Sequence, residues 1–213
     1  MAPCGSPAAG RVASAPGPGC GRIGDVPTHV ALLRGVNVGG RNRVAMADLR
    51  EVVTSLGHTD VATYIQSGNV MFSSTEADTK ALAAALERVI AEALTARPRV
   101  VVLSRNELAQ VIVDNPFPDE TNPKCLHAAF RSEELGPGEA AAVAAALQRA
   151  REKGSRDEVQ VVGRTLFLRT PDGLGRSELA AQLARPAGAL AGLASVTMRN
   201  WATVRKLLAL CDA

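Results

Sequence analysis

The sequence predicts an α+β protein, in which a ferredoxin-like βαββαβ subdomain is followed by a second, smaller α+β subdomain. In the first half, short apolar runs typical of buried strands alternate with longer amphipathic stretches typical of helices. Their order is strand, helix, strand, strand, helix, strand, which is a split βαβ arrangement. With 46% apolar residues in a chain of 213, there is enough material for a core. We expect the first subdomain to span residues 25–104 and the second residues 105–213.

Each element of the first subdomain has a local signal. Residues 30–33 form a continuous apolar run, as in a strand buried on both faces. Apolar side chains then recur at helical spacing over residues 44–56, and Gly57 closes that helix. Strands at 61–65 and 70–72 flank Ser67-Gly68-Asn69, where Gly and Asn accept the positive φ of a tight hairpin. An Ala- and Leu-rich helix within 78–96 precedes a strand at 99–103. We expect a sheet of order 4-1-3-2 with both helices on one face.

The second half gives weaker signals. Ser104 and Glu107 form a capping box that predicts a helix over residues 104–113. Trp201 shares a helical face with Val204 and Leu207, so it is expected in the core. Asn200 is expected to cap that last helix. The other predicted elements are a strand at 126–130, a helix at 139–151, a hairpin at 159–162 and 165–168, and a helix at 178–183.

Composition excludes several classes of function. Arg11 and Arg22 lie in a first segment without acids, which leaves the rest of the chain nearly neutral, so a broad duplex-binding face is not expected. The four cysteines have neither a CxxC spacing nor a zinc spacing, so we expect reduced thiols, a cytoplasmic location and no metal. No apolar run approaches the roughly 18 residues of a membrane span. Residues 1–24, rich in Gly, Pro and Ala, are expected to form a disordered extension without a signal peptide.

The most informative feature is a pair of polar, glycine-containing segments, residues 33–43 and 64–70, each at the end of a predicted strand. Because the first and second strands run parallel in the expected topology, their carboxyl ends should meet at one sheet edge, with Arg97 or Arg99 at its rim. Arginine suits a bidentate grip on carboxylate or phosphate. The candidate ligand-binding residues are therefore Arg34, Asn37, Gly39, Gly40, Arg41, Asn42, Arg43, Gln66, Ser67 and Asn69.

The residues leave several functions open. The favoured hypothesis is non-catalytic binding of a small anionic ligand or of a short single-stranded nucleic acid, without a cofactor, although RRM-type stacking aromatics are missing. One alternative is an enzyme acting on a phosphorylated or carboxylated small molecule, with arginines stabilising charge. Another is a protein-interaction module that pairs through a sheet edge. A structural alternative is that Asn37 and Asn69 brace the two loops against each other. The spacing matches neither GxGxxG nor GxxxxGK[ST].

Four motifs resemble the bacterial family called domain of unknown function 1697. They are Leu33-Arg34-Gly35-Val36-Asn37-Val38-Gly39-Gly40, Tyr64-Ile65-Gln66-Ser67-Gly68-Asn69-Val70, Pro171-Asp172-Gly173-Leu174-Gly175-Arg176-Ser177 and Thr197-Met198-Arg199-Asn200-Trp201-Ala202-Thr203-Val204. The resemblance implies an α+β protein of two small subdomains, the first ferredoxin-like, with no assigned biochemical role.

Overall fold

A computed structural model of the chain describes residues 26–37, 42–184 and 196–213. The extension predicted for residues 1–24 lies outside these ranges. So do Gly39, Gly40 and Arg41 of the first polar segment.

The first half forms a four-stranded antiparallel sheet with two helices on one face. Its elements are β1 (His29–Leu33), α1 (Met46–Ser55), β2 (Thr59–Tyr64), β3 (Asn69–Ser73), α2 (Thr79–Ala93) and β4 (Val100–Ser104). The strand order is β2-β3-β1-β4, which confirms the order predicted from the sequence. Ala31 and Leu33 of β1 point to the helices, where they pack with Leu49 of α1 and Leu86 of α2. Alternate residues of β1 therefore face the other way.

The second half repeats this strand and helix order after an intervening helix. Its described elements are α3 (Arg105–Val113), β5 (Leu126–Phe130), α4 (Pro137–Glu152), β6 (Glu158–Val162), β7 (Thr165–Arg169), α5 (Glu178–Leu183), β8 (Thr197–Asn200) and α6 (Trp201–Cys211), with a 3-10 turn at Leu174–Arg176. The strand order is β6-β7-β5-β8, all antiparallel. The predicted elements agree to within about two residues, but the sequence did not predict β8.

One apolar cluster joins the two sheets. It combines Val30 and Leu32 of β1 with Ala128 and Phe130 of β5, and it includes α3 and α6. Trp201 is buried in this cluster, as predicted. The two halves therefore share a core, and polar groups at the strand ends meet across their junction.

The turn between β2 and β3 lies against the loop that follows β1. Positive φ occurs at Ile65 and Gly68, whereas Asn69 already belongs to β3, so the positive φ predicted for Asn69 is absent. A Cβ atom on Gly68 would lie 2.5 Å from a methyl carbon of Val36 and 2.8 Å from Cβ of Leu33. Glycine is required here both for its φ of 72° and for this close approach.

Candidate anion-binding site at the junction of the two sheets

The two polar segments meet at one end of the first sheet. Asn37 has a positive φ of 56°, which asparagine tolerates better than most residues. Its Nδ2 donates to the carbonyl oxygens of Val44 and Gln66, at 2.9 and 3.0 Å, and its Oδ1 accepts from the Val44 amide. The Asn37 side chain thus ties the loop after β1 to the β2–β3 turn, which is the bracing role considered from the sequence.

Asn69 is fully buried and is used in the same way. Its Nδ2 donates to the Tyr64 carbonyl at 3.0 Å and to Ser67 Oγ at 2.9 Å, which closes the turn. Its Oδ1 accepts a hydrogen bond from Arg199. The buried Asn69 amide therefore holds the β2–β3 turn in place and connects it to Arg199.

Arg199 connects the second sheet to these two loops. It lies in β8, and its Nε donates to Asn69 Oδ1 at 2.5 Å. Its Nη2 donates to the carbonyl oxygens of Leu33, Ser67 and Gly68, at 2.9, 2.9 and 3.2 Å. Burial lowers the pKa of Arg199 to about 10, so the guanidinium remains charged at neutral pH. All of these partners are neutral oxygens.

Arg34 follows β1 directly and lines a cavity against the second sheet. The cavity has a volume of about 200 Å³. Ala129, Leu166 and Leu168 of β5 and β7 contribute to it, together with apolar residues of α5 and Met198 of β8. Arg34 is the only charged residue among its described lining residues. The Nη1 atom of Arg34 is buried and has no hydrogen-bond partner among the described residues.

The other predicted residues that the structure describes lie around this junction. Asn42 also has positive φ and donates to the Gly35 carbonyl at 3.2 Å. Arg43 and Gln66 are exposed, and Ser67 is partly buried. Arg99 accepts through its carbonyl from the Arg34 amide, while its side chain pairs with Glu87 at 3.5 Å.

Positive charge at the junction is not balanced by carboxylates. Within the described ranges, neither Arg34 nor Arg199 forms an ion pair, although ten other pairs occur there. The segments outside those ranges carry one acidic residue, Asp25. Both arginines are partly buried, where opposite charges attract more strongly than in water, so an anion near them would be stabilised.

Two other reactive side chains, Cys125 and His127, lie next to or within β5. Cys125 Sγ contacts Asn122 and the Pro171 carbonyl, and His127 is buried with its Nδ1 unpartnered in the described structure. In the described part of the chain, no three His, Cys, Asp or Glu side chains are grouped as metal ligands. None of the helices in that part has both the length and the apolar composition of a bilayer span.

From the sequence, Asn200 is expected to cap the last helix, but Arg199 has no predicted role and the cavity is not predicted. One signal for Arg199 was available. If the second half repeats the βαββαβ order of the first, its last strand must fall at Thr197–Asn200, and this segment contains a charged residue. The cavity had no such signal, because its lining residues come from β5, β7, α5 and β8, which are distant in sequence.

Comparison with known proteins agrees with this fold. A search of curated proteins finds no match. A conserved bacterial protein from Streptococcus pneumoniae has a similar solved structure, with a TM-score of 0.64 and 22% sequence identity over 87% of this chain and 99% of that protein. Residues 26–167 match the profile of the family described as "Protein of unknown function (DUF1697)", so about two thirds of the chain carries the match. The chain therefore belongs to the DUF1697 family.

Proposed function

We propose that this protein binds a small organic anion at the junction of its two sheets, and that Arg34 contacts the anion. The observation that carries the proposal is the buried, unpartnered Nη1 of Arg34 beside a cavity of about 200 Å³. A buried donor without an acceptor costs about 1–3 kcal/mol, and more when the group is charged. A bound anion would remove that cost.

The surrounding structure supports a binding role for Arg34. Asn37 and Asn69 hold the two loops in place, and Arg199 fixes both loops to the second sheet. Among the described residues, the Arg34 side chain makes none of these bracing hydrogen bonds. A rigid surround of this kind limits the conformational cost of binding.

The cavity favours a small ligand over a nucleic acid. Its volume is below the roughly 300–1,000 Å³ of sites for drug-sized ligands. Its described lining contains no aromatic side chain on which a base could stack. The polar loop edge around Arg43 and Gln66 remains the place where a single-stranded segment or a larger partner would contact the protein.

Binding is also favoured over catalysis. Arg34 is the only ionisable residue in the described lining, and a guanidinium is not a general base at neutral pH. An enzyme at this site would depend on the chemistry of its substrate or of a metal. The proposal is therefore a binding protein for a small anion, with an enzyme of carboxylated or phosphorylated small molecules as the alternative.

The test compares Arg34→Gln with a control variant, Arg205→Gln. Arg205 carries the same charge, is exposed on α6 and lies outside the described cavity lining. Full-length proteins are screened for thermal stabilisation by organic and inorganic anions, and native mass spectrometry detects bound small molecules. We expect at least one anion to bind the wild type and Arg205→Gln equally. Arg34→Gln should bind it roughly 10–100-fold more weakly, as expected for loss of a charge-assisted contact worth roughly 1.5–3 kcal/mol.

Equal binding by Arg34→Gln and the wild type would contradict the proposal. So would the absence of stabilisation by any anion across the screen. Because Arg34 lies outside the apolar clusters, both variants should unfold with wild-type cooperativity.

A further inference from the structure

We infer that the ligand of the Arg34 cavity is a monocarboxylate with a compact apolar body, such as a ring or a short branched chain. This inference rests on the proposed function and adds the chemical class of the ligand. Its basis is the contrast between one buried cationic donor and the other described lining residues, which are all apolar.

The lining requires an apolar body. Leu166 and Leu168 of β7, Leu183 of α5 and Met198 of β8 bring only carbon and sulfur atoms as side chains. A polar ligand would lose its hydration there without gaining partners, at a cost of about 1–3 kcal/mol per unpaired group. An apolar body instead gains about 0.8 kcal/mol for each buried methylene.

The volume limits the size of that body. A cavity of about 200 Å³ holds about seven groups of the size of a water molecule, at roughly 30 Å³ each. An engineered apolar cavity of about 150 Å³ binds benzene. The Arg34 cavity therefore has room for one six-membered ring or a branched chain of similar bulk, but not for a nucleotide.

The charge pattern favours a carboxylate over a phosphate. Arg131, like Arg34, comes directly after the first strand of its sheet and has a buried, unpartnered Nη1 among the described residues. Its charge is balanced by Glu139, whose two carboxylate oxygens lie 3.0 and 2.8 Å from Nη2. Arg34 has no such partner in the described structure, and one external carboxylate would supply it. A phosphate dianion would bring a third oxygen and a second charge that the apolar walls do not match.

The test is isothermal titration of the full-length protein with a series of carboxylates. The series runs from acetate through butyrate and 3-methylbutyrate to benzoate and 4-butylbenzoate, with benzamide as the uncharged match of benzoate and inorganic phosphate as the second anion. We expect affinity to rise about fourfold for each added methylene. The rise should stop at the size of benzoate and reverse at 4-butylbenzoate, while benzamide and phosphate bind at least tenfold more weakly than benzoate.

A matched pair of variants on α5 locates the apolar body. Ala180 lines the cavity, whereas Ala181 beside it is exposed. Ala180→Leu should fill the cavity and weaken benzoate at least tenfold, while Ala181→Leu should bind as the wild type does. Leucine suits a helix, so both variants should fold. If Ala180→Leu unfolds, Ala184→Leu at the end of the same helix gives the same test.

The outcomes separate the two proposals. Anion binding that depends on Arg34 but is as strong for acetate or phosphate as for benzoate overturns the ligand class and keeps the proposed function. Benzoate binding that is unchanged in Ala180→Leu also overturns the ligand class. If neither the carboxylates of the series nor phosphate show binding that depends on Arg34, both proposals are overturned.

Discussion

At the scale of single residues, Arg199 and Arg34 show how similar arginines take different roles. Arg199 donates to four backbone carbonyls and to Asn69, so its hydrogen-bonding groups are committed to the fold. Arg34 keeps a buried donor unpaired in the described structure. The first arrangement stabilises the junction, and the second costs free energy until an acceptor arrives.

Replacing Arg199 should therefore test stability. Arg199→Gln removes the guanidinium donor from the carbonyls of Leu33, Ser67 and Gly68, although Gly68 keeps its hydrogen bond from the Leu33 amide. We expect the free energy of unfolding to fall by about 2–4 kcal/mol. Arg205→Gln, an exposed change on α6, is the matched control and should stay within about 0.5 kcal/mol of the wild type. Urea unfolding measures both. A change below about 1 kcal/mol in Arg199→Gln would show that its contacts do not hold the junction.

Sequence reasoning could place Arg34, Asn37 and Asn69 at one edge, because sheet topology fixes which strand ends meet. It could not assign their roles. Whether an amide braces a turn or faces a ligand depends on side-chain direction and on Arg199, a residue 130 positions from Asn69. The ligand-binding role of the other predicted loop residues stays a prediction.

At the scale of elements, α5 is a six-residue helix that forms part of the cavity wall. A helix of this length is not stable alone in water. Its N-terminus is held by buried Asp157, whose Oδ2 accepts from Ser177 Oγ at 2.8 Å and from the Leu179 amide at 3.2 Å. A carboxylate at this end also interacts favourably with the helix dipole.

Asp157→Ala should loosen α5 and weaken the site together. We expect the free energy of unfolding to fall by about 1–3 kcal/mol, because the hydroxyl and amide donors lose their acceptor. Hydrogen exchange in residues 178–183 should accelerate. Asp172→Ala is the control, since Asp172 pairs with Arg156 at an exposed position where ion pairs contribute roughly 0–1 kcal/mol. Unchanged exchange in α5 would show that Asp157 does not anchor it.

The elements differ in how well the sequence predicts them. Strand β5 and helix α5 have the bounds that the sequence predicts, since apolar runs and the Ser177 cap give local signals. Strand β8 has four residues with a polar content, and it is a strand because it pairs with β5. Such a segment has no local pattern strong enough to predict, and its partner in the sheet decides its conformation.

At the scale of the whole molecule, two sheets with the same strand order share one apolar cluster. Burial acts in a similar way on all three histidines. It lowers the pKa of His29, His58 and His127 below the ordinary value of 6.5. Glu107 opposes this effect at His29, and His58 adds to it. The folded protein therefore favours neutral imidazoles.

This shared shift predicts how stability depends on pH. Between the lowered pKa of the folded state and the ordinary 6.5 of the unfolded chain, the unfolded state binds more protons. The free energy of unfolding should then be highest above about pH 7 and should fall as pH drops through 6.5 toward 5, before most carboxylates titrate near 4. His127→Leu removes one of the three groups and should flatten this slope. Urea unfolding from pH 5 to 8 measures the slope of the free energy of unfolding against pH. A wild-type stability that rises as the pH falls across this window would contradict the assignment of neutral, buried histidines.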